Sequence, residues 1–201
     1  MKKACLMAGL VGLTLLGACS QQSSEKMPNK AKKDTTTVQE KKGASNEMKH
    51  DKGKSDQMMN KGSLAPNFEL TGVDGKIYRL SDFKGKKVYL KFWASWCSIC
   101  LSSLPETEEL AKEQGDDYVV LTVVSPNHNG EQSTEGFKKW YNGLEYKGIP
   151  VLLDEKGKGI EDYGIRGYPT AAFIGSDGVL VKTQVGFMSK EDIKKTLDSI
   201  Y

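Results

Sequence analysis

Between Ser20 and Gly62 the chain has no Phe, Trp or Tyr, and Val38 is its only branched aliphatic residue. So little apolar surface cannot offset the entropy of ordering the backbone, so these 43 residues are expected to stay disordered. Folding is thereby confined to residues 63–201, enough for one domain with its own core. Charge divides at the same boundary. Residues 20–62 carry ten lysines against six acids, whereas 63–201 carry 17 basic and 20 acidic residues. The folded part is mildly acidic, which argues against a nucleic-acid-binding domain and predicts no nucleic-acid partner. As a flexible coil the basic segment would span roughly 35–40 Å. Its Met27, Met48, Met58, Met59 and His50 keep no regular spacing, so it reads as a solvated tether rather than a metal-binding tract.

Ahead of the tether, Lys2 and Lys3 precede an apolar run from Ala4 to Leu16. The run is shorter than the roughly 20 residues a membrane-spanning helix needs, and with its basic start it reads as an export signal. It ends in Leu16-Gly17-Ala18-Cys19, which resembles the bacterial lipobox, whose cysteine becomes the lipid-bearing mature N-terminus. The expected organisation is a signal peptide over 1–18, lipidated Cys19 with a basic tether over 19–62, and a folded domain over 63–201. The expected location is the outer face of the cytoplasmic membrane, on the surface of a Gram-positive cell. Acyl chains would hold it there at roughly 0.8 kcal/mol per buried methylene. Of four cysteines, Cys5 falls in the signal and Cys19 in the lipobox. Only Cys97 and Cys100 remain in the domain, so a structural disulfide framework is impossible.

Within 63–201, Phe68–Leu70 and Ile77–Leu80 flank Gly72-Val73-Asp74-Gly75, a hairpin signal. Lys87 to Trp93 reads as a strand, and Ser98 to Gln114 as one helix with Leu101, Leu104 and Ala111 on a face. Tyr118 to Val124 is a continuous apolar run of the kind a buried parallel strand needs. Ser133 or Thr134 caps a helix to Asn142 in which Phe137 and Trp140 are core residues. A strand is expected over Ile149–Leu153 and a helical turn around Ile160 and Tyr163. Thr170–Ile174 and Val179–Val185 flank Gly175-Ser176-Asp177-Gly178, a second hairpin. Ser189 caps a last amphipathic helix carrying Ile193, Leu197 and Ile200. The order β-β-β-α-β-α-β-α-β-β-α predicts an α/β fold with a central mixed sheet flanked by helices.

The chemistry concentrates in Phe92-Trp93-Ala94-Ser95-Trp96-Cys97-Ser98-Ile99-Cys100, where a strand gives way to a helix. Two cysteines three apart at a helix start can close a disulfide within one turn. The first lies where unpaired N–H groups and the helix dipole stabilise a thiolate, as an exchange nucleophile requires. The second, one turn in, is placed to resolve a mixed disulfide. A zinc site would need a second ligand pair, and the domain offers only His128. No metal site and no cofactor beyond a redox-active Cys97–Cys100 disulfide are expected.

These residues resemble the thioredoxin superfamily, and within it the membrane-tethered TlpA-like group. Pro105 matches the family's helix-kinking proline, and Gly167-Tyr168-Pro169-Thr170 matches the loop that carries its cis-proline. The separation of 72 positions between Cys97 and Pro169 leaves room for that group's central βα insertion, roughly 118–142, behind an N-terminal hairpin extension. With lipobox and tether, the chain is similar to Gram-positive surface thioredoxin-like lipoproteins. The resemblance implies a thiol–disulfide oxidoreductase that reduces exported methionine sulfoxide reductases and draws electrons through a membrane thiol transporter of the CcdA or DsbD type. It makes Cys97 the attacking thiol and Cys100 the resolving one, with Trp96, Tyr168 and Pro169 as the rim on which a partner docks.

Two positions depart from the family. Lys91 stands where thioredoxins place a buried aspartate, and Ser103 where cytochrome-maturation reductases place a glutamate. Glu106 is one residue out of phase on a continuous helix and is expected to face elsewhere. His128 is expected to be a polar loop residue. The alternatives are a disulfide-forming oxidant using the same cysteines, and a copper chaperone using Cys97, Cys100 and His128.

Overall fold

The computed structural model describes residues 60–201. The expected signal peptide, Cys19 and nearly all of the tether lie outside the described residues. In chain order the elements are β1 (Ser63–Leu64), β2 (Glu69–Gly72), β3 (Ile77–Arg79), a 3-10 turn (Leu80–Phe83), β4 (Lys87–Phe92), α1 (Ser98–Ser102) and α2 (Leu104–Glu113). There follow β5 (Tyr118–Val124), α3 (Thr134–Asn142), β6 (Val151–Leu153), α4 (Lys158–Asp162), β7 (Thr170–Ile174), β8 (Val179–Val185) and α5 (Lys190–Asp198). The eight strands form one mixed sheet in the order β1-β8-β7-β4-β5-β6-β2-β3. β4 pairs in parallel with β5 and antiparallel with β7. The segment expected as the insertion forms β5 and α3.

Alternation along the central strands sorts side chains between the two faces of the sheet. Val88, Leu90 and Phe92 of β4 join Leu121, Val123, Ala172 and Ile174 in one cluster, covered by Tyr163. Tyr89 joins Val120, Ala171 and Phe173 on the other face, beneath Leu110 of α2 and Ile193 and Leu197 of α5. Period two places Lys91 on this second face, inside the protein. A third cluster gathers Trp93, Phe137, Tyr141 and Leu104 around the two cysteines. Trp93 is fully buried there with Phe137, Trp140 and Tyr141 within 6.4 Å between ring centroids.

The structure departs from the sequence reading in four places. The helix expected over 98–114 breaks at Ser103, because Pro105 has no N–H for the carbonyl of Leu101. That carbonyl and the one of Cys100 take the N–H of Ser103 instead. The strand expected from Ile149 begins only at Val151, since Pro150 cannot donate to a ladder. A two-residue β1, too short to carry any periodicity, pairs with β8. Finally, ordered contacts begin ahead of residue 63. The Asn60 side chain donates to Asp177 at 2.9 Å and to the Tyr201 carbonyl at 3.0 Å, and it accepts the Tyr201 N–H at 3.1 Å.

Candidate active site

The C-terminal end of β4 meets the start of antiparallel β7, with Phe92 opposite Thr170. This register brings the loop 93–97 beside Pro169, whose peptide bond with Tyr168 is cis. The Pro169 carbonyl accepts the Gly186 N–H at 2.8 Å, which adds the end of β8 to the same corner.

Cys97 and Cys100 are joined by a disulfide, with Cα atoms 5.2 Å apart. Cys97 is the N-cap of α1, and its Sγ accepts the Cys100 N–H at 3.2 Å. The two cysteines differ in exposure: both are buried, but Cys97 keeps 7% of its surface open and Cys100 is sealed at 0%. A thiolate on Cys97 would thus have both an N–H donor and a route to a partner.

Above the disulfide lies an apolar rim. Trp96 is 56% exposed, Ile99 is similarly open, and Tyr168 packs edge-on to Trp96 with ring centroids 5.9 Å apart. Of the residues expected to form the rim, Trp96 and Tyr168 meet and Pro169, next to Tyr168, is buried; Ile99 was missed, as a lone apolar residue between two cysteines carries no periodicity. The Tyr168 hydroxyl accepts from Asn129 Nδ2 at 3.2 Å. Asn129 and Asn127 have left-handed backbones, with φ of 50° and 62°, a conformation asparagine tolerates better than most residues.

Glu131 was also missed, because an acid in a polar loop gives no signal. It is buried, and its carboxylate accepts from the Ser95 N–H and hydroxyl at 2.6 Å each and from the Gln132 N–H at 2.7 Å. It ties the loop after β5 to the residue two before Cys97.

Below the disulfide the surroundings are polar. Lys91, 3% exposed, donates from Nζ to the hydroxyls of Ser103 and Thr107 at 2.8 Å each. The Ser103 hydroxyl in turn donates to the Cys100 carbonyl at 2.8 Å. Burial lowers the Lys91 pKa to about 8, against an opposing pull from the negative charge of Glu106. Glu106 therefore does not face elsewhere: it lines the same small space as Lys91, Ser103 and Thr107. The break at Ser103 resets the rotation that a continuous helix would have imposed. Its carboxylate also accepts the Lys190 N–H at 3.1 Å.

His128 lies in the loop after β5, as expected, with Nε2 3.2 Å from the Glu155 carbonyl. Among the described residues no three His, Cys, Asp or Glu side chains are grouped as a metal ion would require.

The chain matches the Redoxin family over residues 60–200. It is 68% identical to the pneumococcal exposed lipoprotein thioredoxin (Etrx1) from Streptococcus pneumoniae strain TIGR4, covering 67% of this chain and 100% of that one at a TM-score of 0.66. An uncharacterised protein of Haemophilus influenzae is 48% identical over 126 residues, which are 63% of this chain and 81% of that protein. The thiol-disulfide oxidoreductase ResA of Geobacillus thermodenitrificans is 36% identical over 142 residues, 69% of this chain and 77% of that protein. With a disulfide closed between the two cysteines at the mouth of a thioredoxin-like sheet, this chain belongs to the Redoxin family as a thiol–disulfide oxidoreductase.

Proposed function

We propose that the protein is a reductant of disulfides in exported partner proteins, anchored outside the cytoplasmic membrane through a lipid on Cys19. Reduced Cys97 attacks one sulfur of a partner disulfide, forming a mixed disulfide and releasing the other partner sulfur as a thiolate. Cys100 then attacks Cys97 Sγ. The Cys97–Cys100 bond forms, the second partner sulfur departs, and the partner has gained two electrons. Methionine sulfoxide reductases, whose cysteines oxidise as they turn over, are the partner class, and a membrane thiol transporter of the CcdA or DsbD type returns the electrons. Trp96, Tyr168 and Pro169 receive the partner's chain.

The observation that carries the reading is the asymmetry of the pair: a Cys97 that keeps a little exposure and an N–H donor beside the exposed Trp96, and a fully sealed Cys100. Likeness to an exposed lipoprotein thioredoxin supports the location. The test is trapping. Cys100→Ser, expressed on cells, is expected to accumulate a mixed disulfide with an exported reductase, and Cys97→Ser to accumulate none; the reverse pattern overturns the roles. A couple poised near −270 mV supports the reducing direction, and one near −120 mV makes the protein a disulfide-forming oxidant. Cys19→Ala is expected to release the protein from the membrane into the medium, and retention would remove the lipid anchor from the proposal.

A further inference from the structure

Cys100 must ionise to close the disulfide, yet it is shut off from water, and burial disfavours a thiolate. Among the interactions described, the amide donor within the pair serves Cys97, not Cys100. The buried cation linked to Cys100 is Lys91, separated from the Cys100 carbonyl by the Ser103 hydroxyl. The hydrogens of that network are committed in one direction. The Ser103 hydroxyl gives its proton to the Cys100 carbonyl, and the Thr107 hydroxyl gives its own to the Ser103 carbonyl at 2.8 Å. Each hydroxyl can therefore offer Lys91 only a lone pair, and Lys91 must be the donor to both. Two N–H groups suffice for that, so the third position on Nζ can hold a proton or release it without breaking either bond.

We propose that Lys91 is a positioning residue for the resolving step, its ammonium acting through Cys100 to favour the thiolate that attacks Cys97. In that step the Cys100 sulfur gives up its proton and its electron pair forms the bond to Cys97 Sγ, the Cys97–partner S–S bond breaks, and the departing partner thiolate takes up that proton. The proposal rests on Cys100 being the resolving thiol and holds for either direction of net electron flow. The ionisable groups lining the space around Lys91 are Glu106 from α2 and Tyr89 from β4; β7 and α5 present Ala171 and Ile193. Burial pushes the Tyr89 hydroxyl far up, so it stays neutral, and the negative charge of Glu106 favours the ammonium.

The test is a two-phase stopped-flow reaction of the reduced protein with 5,5′-dithiobis(2-nitrobenzoate). The first chromophore leaves as Cys97 attacks and the second as Cys100 closes. Each pH unit added to the thiol pKa costs about tenfold in thiolate and returns about threefold in nucleophilicity, a net loss of about threefold. Lys91→Met is expected to slow the second phase about threefold or more near pH 7, to move its inflection to higher pH, and to leave the first phase within about twofold. A second phase that matches the unsubstituted protein at every pH, or runs faster, overturns the proposal. If Lys91→Met does not fold, Glu106→Gln decides. By weakening the hold on the Lys91 proton it is expected to move the inflection of the second phase to higher pH, opposite to the direct effect of removing a negative charge, and an inflection that stays or falls is equally fatal. Cys97→Ser and Cys100→Ser run in parallel isolate the underlying roles: a first phase that survives in Cys97→Ser refutes the role assignment, not Lys91.

Discussion

The disulfide lies between two unlike surroundings, a rim of exposed aromatic residues above and a floor of buried polar ones below. Trp93 and Trp96, three residues apart, mark the contrast. Trp93 is sealed among three aromatic rings, whereas more than half of Trp96 faces solvent. A side chain enclosed on all sides contributes to stability, and one left open at a reactive sulfur is free to contribute to recognition. The difference teaches that burial and function divide within a single loop. Trp93→Ala is expected to cost about 3–5 kcal/mol, read by denaturant unfolding. Trp96→Ala is expected to change stability by less than about 0.5 kcal/mol while slowing exchange with protein disulfides more than with small ones. If Trp96→Ala slowed both alike, the rim would be part of the chemistry rather than of docking.

The floor carries a cost that the rim does not. Lys91 titrates from an ordinary 10.5 to about 8 in the fold, with burial the cause. Below that lower value both folded and unfolded chains hold the proton, and burying the charge destabilises the fold by about 3 kcal/mol. Between the two values the unfolded chain binds the proton and the folded one does not, so stability rises with pH across this window. The unfolding free energy of the unsubstituted protein, measured against Lys91→Met, is expected to climb by about 3 kcal/mol from pH 8 to pH 10.5. A flat difference would mean that Lys91 is solvated, and the contrast between rim and floor would collapse.

The same division decides what the sequence made legible. The strands that flank Cys97 and Pro169 were readable because they are short, largely apolar runs whose length and turn signals agree, and the paired cysteines announced their chemistry by their spacing at a strand-to-helix junction with no second pair of metal ligands. The floor was not readable. Lys91 was seen only as a departure from a familiar pattern, since a lysine in a strand names neither its face nor its partners until α2 is packed over it. Glu106 was misplaced because its direction depends on the helix break at Ser103, a consequence of Pro105 acting four residues back. Glu131 was invisible for another reason: its partners Ser95 and Gln132 meet only when the loop after β5 folds over the loop after β4.

Glu131 joins the loop behind the rim to the cysteine loop, and it tests whether the rim is held from below. Glu131→Gln keeps the volume but turns one acceptor oxygen into a donor facing the Ser95 or Gln132 N–H. The expected loss is about 1–2 kcal/mol, read by thermal unfolding. Reaction of Cys97 with a small disulfide is expected to slow in step, because Ser95 sets the approach to Cys97. Unchanged exchange beside lost stability would confine Glu131 to the scaffold.

The smallest effect belongs to the Tyr168 hydroxyl, which meets Asn129 at the edge of the rim. The bond is at 3.2 Å in an exposed setting, where water replaces it readily, so Tyr168→Phe is expected to change stability by less than about 0.5 kcal/mol. The ring remains against Trp96, and with it the apolar surface that a partner would cover. Exchange with protein disulfides is therefore expected to stay within about twofold of the unsubstituted protein, whereas Tyr168→Ala, which removes the ring, is expected to fall with Trp96→Ala. A large loss in Tyr168→Phe would show that the rim works through a placed hydroxyl, and that the boundary between apolar recognition above and polar control below lies higher in the molecule than the burial pattern puts it.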